Sequence, residues 1–274
     1  MAYWLLLDIG NTHTVSGLYD PASGERLPGL QVRFRTDSQS TADEYRAQLS
    51  QLFAHSHPEA GVVRLWDRVE RVILSTVVPP LERVVIQACA PLPCLSIKAT
   101  SRRDFELDLP HPEQLGADRL ANVAGALTLS KAPFLIVDAG TATTFCLLDA
   151  RPAYIGGAIV PGLETSWKAL QARAAKLFSV ELTRPETTVG RTTESQLQSG
   201  VLQGYEALIE GMTDRLLRDA QGSSAANTST FGGETPLFAT GGCIQGLQLS
   251  ARFRREPDLT LLGLIRYGHL NPLA

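Results

Sequence analysis

Three carboxylates stand where the sequence could do phosphate chemistry. Asp8 opens the run Asp8-Ile-Gly-Asn-Thr12, and Asp138 opens Asp138-Ala-Gly-Thr-Ala-Thr-Thr144. Each acid closes a short apolar run (residues 3–7 and 134–137), and the carboxyl ends of such strands are where open α/β sheets hold ligands. Gly10 and Gly140 let a phosphate approach main-chain N–H groups, while Asn11, Thr12 and Thr141 add neutral donors. An acid such as Asp8 can hold a hydrated Mg²⁺ that offsets phosphate charge. One copy alone reads equally well as a hairpin whose Asp caps a turn. Two copies with one order do not arise from unrelated hairpins.

The third carboxylate, Asp118, lies in Gly116-Ala-Asp-Arg119 at the start of a helical pattern. A helix N-terminus is expected to lower its pKa and leave a weak base. That suffices for phosphoryl transfer, whose loose transition state asks a carboxylate chiefly to orient the attacking hydroxyl. Arg119 can bind a substrate carboxylate. The alternative for Asp118 is an acid that merely favours its helix N-terminus. Gly241-Gly242, after a strand at 236–240, leaves room for a base or ribose against bare backbone, or else makes a simple turn.

Other chemistries lack their residues. The sequence has no Gly-Lys dipeptide and so no P-loop, no Gly-x-Gly-x-x-Gly after a strand and no His-Glu-x-x-His. Cys89, Cys94, Cys146 and Cys243 form no Cys-x-x-Cys pair, which points to reduced, packed thiols. His55 and His57 are expected at a solvated helix end, and Arg252, Arg254 and Arg255 on a solvated face.

The elements that must position these groups alternate strand and helix. Strands are expected at 3–8, 12–19, 30–35, 71–76, 134–138, 141–148, 155–160 and 236–240. Helices are expected at 41–53, after Pro79-Pro80, and at 115–129, 163–177 and 193–217. Thr41 and Glu44 form a capping box at the first helix. Gly200 and Gly204, one turn apart, are expected to admit a neighbouring backbone, and 221–235 is loop by composition. A shift of 130 positions lays Asp8 on Asp138, Gly10 on Gly140, Thr14 on Thr144 and Leu18 on Leu148. The repeated order of strand, acid, glycine turn and strand implies two similarly built halves, placed at 1–117 and 118–274.

With 274 residues the chain has room for two domains. The 25 basic against 28 acidic residues give −3, which leaves no basic field for nucleic acid or anionic lipid. Every apolar run falls far short of the ~20 residues that span a bilayer. Asp8 also interrupts the first run too early for a signal peptide, so a cytoplasmic protein is expected.

The ordered motifs resemble the type III pantothenate kinase family: Asp8-x-Gly-Asn-Thr, Gly116-Ala-Asp-Arg119, Asp138-x-Gly-Thr-Ala-Thr-Thr144, Gly156-Gly-Ala-Ile-Val-Pro-Gly162, Gly190-Arg-Thr-Thr193, Ser199-Gly200 and Ala239-Thr-Gly-Gly242. The resemblance implies two ribonuclease H-like α/β domains of the actin, sugar kinase and heat-shock chaperone superfamily, with the active site in the cleft between them. It implies ATP-dependent phosphorylation of pantothenate to 4′-phosphopantothenate, the first step of coenzyme A synthesis, by a homodimer needing Mg²⁺ and K⁺ or NH₄⁺. Carried over by position, Asp8, Ile9, Gly10, Asn11, Thr12, His13, Thr14 and Val15 hold ATP phosphates. Thr141, Gly241 and Gly242 also border the nucleotide, and Asp138 binds the monovalent cation. Gly116, Ala117, Asp118, Arg119 and Thr193 line the pantothenate site, Asp118 as proton acceptor. The tyrosine that family members often carry seven residues before the motif glycine is absent from residues 108–115. Two other readings remain open on the sequence, a non-catalytic regulator related to transcription accessory factors and a kinase of another small alcohol such as a sugar.

Overall fold

The computed structural model describes residues 2–26, 31–56, 65–173, 180–222, 231–232 and 234–273. Two compact units emerge. One comprises Met1–Phe105, Pro110–Leu129 and Asp258–Ala274, and the other Glu106–Leu109 and Ser130–Pro257. The chain passes into the second unit after Leu129 rather than at 117/118, and its last helix belongs to the first.

In the first unit, β1 (Tyr3–Ile9) and β2 (His13–Asp20) form a hairpin, and β3 (Glu25–Arg26) and β4 (Val32–Arg35) pair antiparallel with β2. On the other side β5 (Val69–Thr76) runs parallel to β1, and β6 (Cys94–Ser96) parallel to β5. β1 reads as an unbroken apolar run because both of its faces are covered. Leu5, Leu7 and Ile9 share a core with Tyr45, Leu49 and Phe53 of α1 (Ala42–Ser56) and with Leu81 and Val85 of α3 (Pro79–Ala88). A short helix, α2 (Leu65–Arg68), leads into β5. The capping box forms: the Thr41 N–H reaches the Glu44 carboxylate at 2.8 Å, and the Glu44 N–H points back to Thr41 Oγ1 at 3.4 Å. Two more helices, α4 (Ala117–Leu129) and α8 (Leu259–Leu270), lie backbone to backbone. A side chain at Gly263 would collide with the Ala121 carbonyl, and one at Gly268 with Trp4.

In the second unit, β8 (Phe134–Ala139) and β9 (Ala142–Leu148) form the hairpin, and β10 (Ala153–Pro161) pairs antiparallel with β9. β11 (Leu237–Thr240) and β12 (Phe253–Arg255) extend the sheet in parallel beyond β8, and β7 (Glu106–Leu107) adds to β10. Helices α5 (Leu163–Arg173), α6 (Thr193–Gln198) and α7 (Gly204–Gly222) complete it, with a π turn at Ser199–Gln203 joining α6 to α7. The helix expected at 193–217 is therefore interrupted. Side chains placed at Gly200 and Gly204 would meet nothing within 4 Å among the described residues, so the close backbone expected there is not found among them.

Both sheets follow one topology: a hairpin, a third antiparallel strand, then two parallel strands on the far side of the first. The fold is thus two α/β units whose sheets share one strand order. The register corrects the ungapped repeat. Ile9 faces Thr14 and Leu5 faces Leu18, whereas Ala139 faces Thr143 and Leu135 faces Leu147. The second turn is one residue shorter, so the equivalents of Thr14 and Leu18 are Thr143 and Leu147.

Candidate active site

Asp8 ends β1 beside Ser75 of β5, whose hydroxyl donates to Asp8 Oδ1 at 2.9 Å. Gly10 turns the chain, its N–H bonded to the His13 carbonyl at 3.0 Å, and the Thr36 N–H holds the Thr12 carbonyl at 2.9 Å. Asn11 lies exposed at the tip. Ile9 is fully buried in the core and the Thr14 hydroxyl is bonded to Thr36 Oγ1 at 3.0 Å. From these two positions a phosphate would meet main chain only. His13 Nδ1 lies 3.2 Å from Arg33 Nη2, and Val15 is half-buried.

The segment after β5 joins this turn to the third carboxylate. The Val77 N–H bonds the Ile9 carbonyl at 3.1 Å, and the Val77 side chain lies 3.4 Å from where a Cβ on Gly116 would stand. That Cβ would also meet the Asp118 carboxylate, so the bare Gly116 leaves the carboxylate its place. Ala117 is buried and offers its backbone. Asp118 stands in the first turn of α4 and accepts the Arg119 N–H at 2.7 Å. Burial pushes its pKa up, outweighing the Arg119 N–H and guanidinium charge that pull it down. The expectation of a lowered value fails here, because desolvation of the charged form exceeds what a helix end and one hydrogen bond return. Asp118 is accordingly a better base than the sequence suggested.

In the second unit Asp138 ends β8 opposite Thr144 on β9 and Thr240 on β11. The Gly140 N–H bonds the Ala142 carbonyl at 3.2 Å, and Thr141 is exposed. The turn is packed from behind. Gly162 donates its N–H to the Thr141 carbonyl at 3.0 Å and Thr165 Oγ1 donates to the same oxygen at 2.7 Å, while a Cβ on Gly162 would collide with Gly140 O. Gly241 takes φ +99°, and a Cβ there would stand 2.5 Å from Asp138 Oδ1 and 2.6 Å from Ala139 backbone. Gly242 follows, exposed. The structure thus gathers Asp138, Thr141, Gly241 and Gly242 along one sheet edge. Thr193 begins α6 behind the capping residue Thr192, exposed to solvent.

These donors suit hard cations. The described residues contain no cluster of three or more His, Cys, Asp or Glu side chains able to hold a metal. Mg²⁺ and K⁺ do not require one, since isolated carboxylates, carbonyls and substrate phosphates supply oxygen ligands. Gly241 packs directly against Asp138 Oδ1 and the Ala139 backbone, which leaves no room for a side chain.

Residue reasoning on the sequence missed Ser75 and Tyr205, the latter buried with its hydroxyl on Thr143 Oγ1. A serine at the carboxyl end of the 71–76 strand was the available signal for the first. In the basic cluster Arg252 pairs with Glu210 and Asp214, Arg254 with Glu256, and Arg255 donates to the Ile244 and Leu247 carbonyls. All three are exposed, as expected of a solvated face, and their partners tie the unit together. His57 lies outside the described residues.

Comparison with known proteins follows the same outline. A family model described as type III pantothenate kinase matches residues 4–215. A type III pantothenate kinase of Brevibacillus brevis is 37% identical over 264 residues, covering 95% of this chain and 96% of the relative. One from Streptomyces coelicolor is 34% identical, covering 95% of both chains. Among solved structures, a conserved Baf-family protein of Campylobacter jejuni aligns with a TM-score of 0.55 at 18% identity, covering 96% of both chains.

Proposed function

The chain belongs to the type III pantothenate kinase family, and from that premise we propose which of its residues carry the reaction. The enzyme phosphorylates pantothenate with ATP, which opens coenzyme A synthesis. The reading of the site rests on one observation: two sheets of one topology each end their first strand in an acid followed by a glycine turn.

On this reading the segment from Asp8 to Val15 holds the ATP phosphates, with the Asn11 and Thr12 side chains as donors at its tip. Thr141, Gly241 and Gly242 border the nucleotide, the glycines presenting backbone where a side chain would obstruct it. Asp118, with a raised pKa, orients the primary hydroxyl of pantothenate and accepts its proton as the phosphoryl group moves. Gly116 and Ala117 line the acceptor by backbone, and Arg119 takes the substrate carboxylate. Thr193 adds a hydroxyl contact to pantothenate. Asp8 would hold Mg²⁺ and Asp138 a K⁺ or NH₄⁺ ion, cations that neutralise phosphate charge when bound. A homodimer in the cytoplasm is the working state.

Purified protein with ATP, Mg²⁺, K⁺ and pantothenate should release ADP and phosphopantothenate. Asp118→Ala should lower kcat by about 10²–10⁴-fold, the range general-base removal gives, while ATP binding by calorimetry stays within twofold. Retained turnover would remove Asp118 from its role. ADP formed only with another alcohol in an acceptor screen would reassign the substrate.

A further inference from the structure

Behind the second turn, two elements meet at one buried hydroxyl. Tyr205, on the first turn of α7, bonds through its hydroxyl to Thr143 Oγ1. Thr143 is the second residue of β9 and faces Ala139 across the hairpin, one position beyond Asp138. Leu163 opens α5. Gly162, one residue earlier, and Thr165, two residues later, both hold the Thr141 carbonyl. The tyrosine therefore braces the turn through β9, whose Thr143 stands two residues beyond Thr141.

The π turn at Ser199–Gln203 explains how the ring arrives there. A π turn puts an extra residue into one helical turn, so the face presented after it is rotated from the face before. Without it, the residue aimed at the sheet by α7 would not be Tyr205. Leu202 and Tyr205 both join the core cluster that contains Val137, Ala139 and Phe145. The phenol is fully protonated at working pH, because burial holds its pKa above the usual tyrosine range.

We propose that Tyr205 is a positioning residue for nucleotide binding: its hydroxyl fixes the Gly140–Thr141 turn through Thr143. It touches no substrate in this role. The inference rests on assigning that turn to ATP, and the controls separate the two.

Tyr205→Phe keeps the ring and deletes only the bond. It should raise the KM for ATP about 5-fold or more, leave the KM for pantothenate within twofold, and change kcat less than twofold. Thr143→Val should reproduce that pattern, Thr143→Ser should restore the ATP KM, and the Phe/Val double variant should be no worse than either single one. A purely structural role would lower the melting temperature and the active fraction without moving the ATP KM, and that result overturns the proposal. Should Asp138→Asn raise the ATP KM while Tyr205→Phe does not, Tyr205 alone loses its role. If neither variant moves it, the assignment of the turn fails as well.

Discussion

The two glycine turns come from one topology, yet the protein secures them in different ways. The first is held at its sides: the Thr36 N–H binds the Thr12 carbonyl, the Val77 N–H binds the Ile9 carbonyl, and Ser75 binds Asp8. Its outer surface stays open, with Asn11 exposed at the tip. The second turn, a residue shorter, is packed from behind by Gly162 and flanked by Gly241, both so close that a methyl group does not fit. The helices differ as well. Tyr205 bonds to Thr143, whereas among the described residues the hydroxyl of Tyr45 of α1, beside Thr14, meets no partner at hydrogen-bond geometry, and Thr14 is bonded to Thr36. An open, edge-held turn suits a ligand that must enter and leave with each cycle. A turn clamped by backbone suits a fixed boundary.

The sharpest way to break that contrast is to add one methyl group to each turn. Gly162→Ala and Gly241→Ala should each cost about 2–4 kcal/mol, through collision with Gly140 O in the first case and through collision plus a left-handed φ in the second. Gly10→Ala should cost less than about 1 kcal/mol, since its Cβ would stand 3.1 Å from a single carbonyl oxygen at a conformation open to alanine. Urea denaturation followed by tryptophan fluorescence measures all three. Trp167 on α5 reports the second unit, and Trp4 and Trp66 the first. Equal losses at Gly10 and Gly162 would show that both turns are clamped alike.

What was legible beforehand follows the same division. Hairpins, acids and glycines lie close in sequence, so Asp8, Asp138 and the repeat could be read directly. The one-residue difference between turns could not, because Thr143 and Thr144 are both threonine and Leu147 and Leu148 both leucine, leaving a sliding register without penalty. Helix α8 escaped notice for a different reason. It is apolar around most of its circumference and carries Gly263 and Gly268, which resembles a strand or loop until α4 and Trp4 are seen pressed against those glycines. The short strands β6, β7 and β12 carry two or three residues each, too few for a periodic signal. Asp118 was found in the right place with the wrong electrostatics, since burial is a tertiary property and a helix N-terminus a local one.

That correction gives the next test of what the first unit sets beside its turn. A buried carboxyl with a raised folded-state pKa binds protons more readily folded than unfolded, so its charge opposes folding once the pH exceeds the ordinary carboxylate value. Asp118→Asn should therefore melt about 2–4 °C higher at pH 7, and the gain should vanish as the pH falls below about 4. In the wild type, kcat/KM should drop on the acid side at a pH above the ordinary carboxylate value. A variant that melts lower at pH 7, or activity that is flat down to pH 4, would contradict a desolvated base.

The smallest expected effect compares the equivalent threonines. Thr14→Val leaves Thr36 without its partner, but Thr36 is half-buried and water can take the vacated place, so the loss should be about 1 kcal/mol. Thr143→Val strands the buried phenol of Tyr205, where no water reaches, and should cost roughly 1–3 kcal/mol. Denaturation midpoints of the two variants give the order directly. A larger loss at Thr14 would mean that the first turn, for all its exposure, is the more tightly braced of the pair, and the contrast between an open and a clamped turn would be reversed.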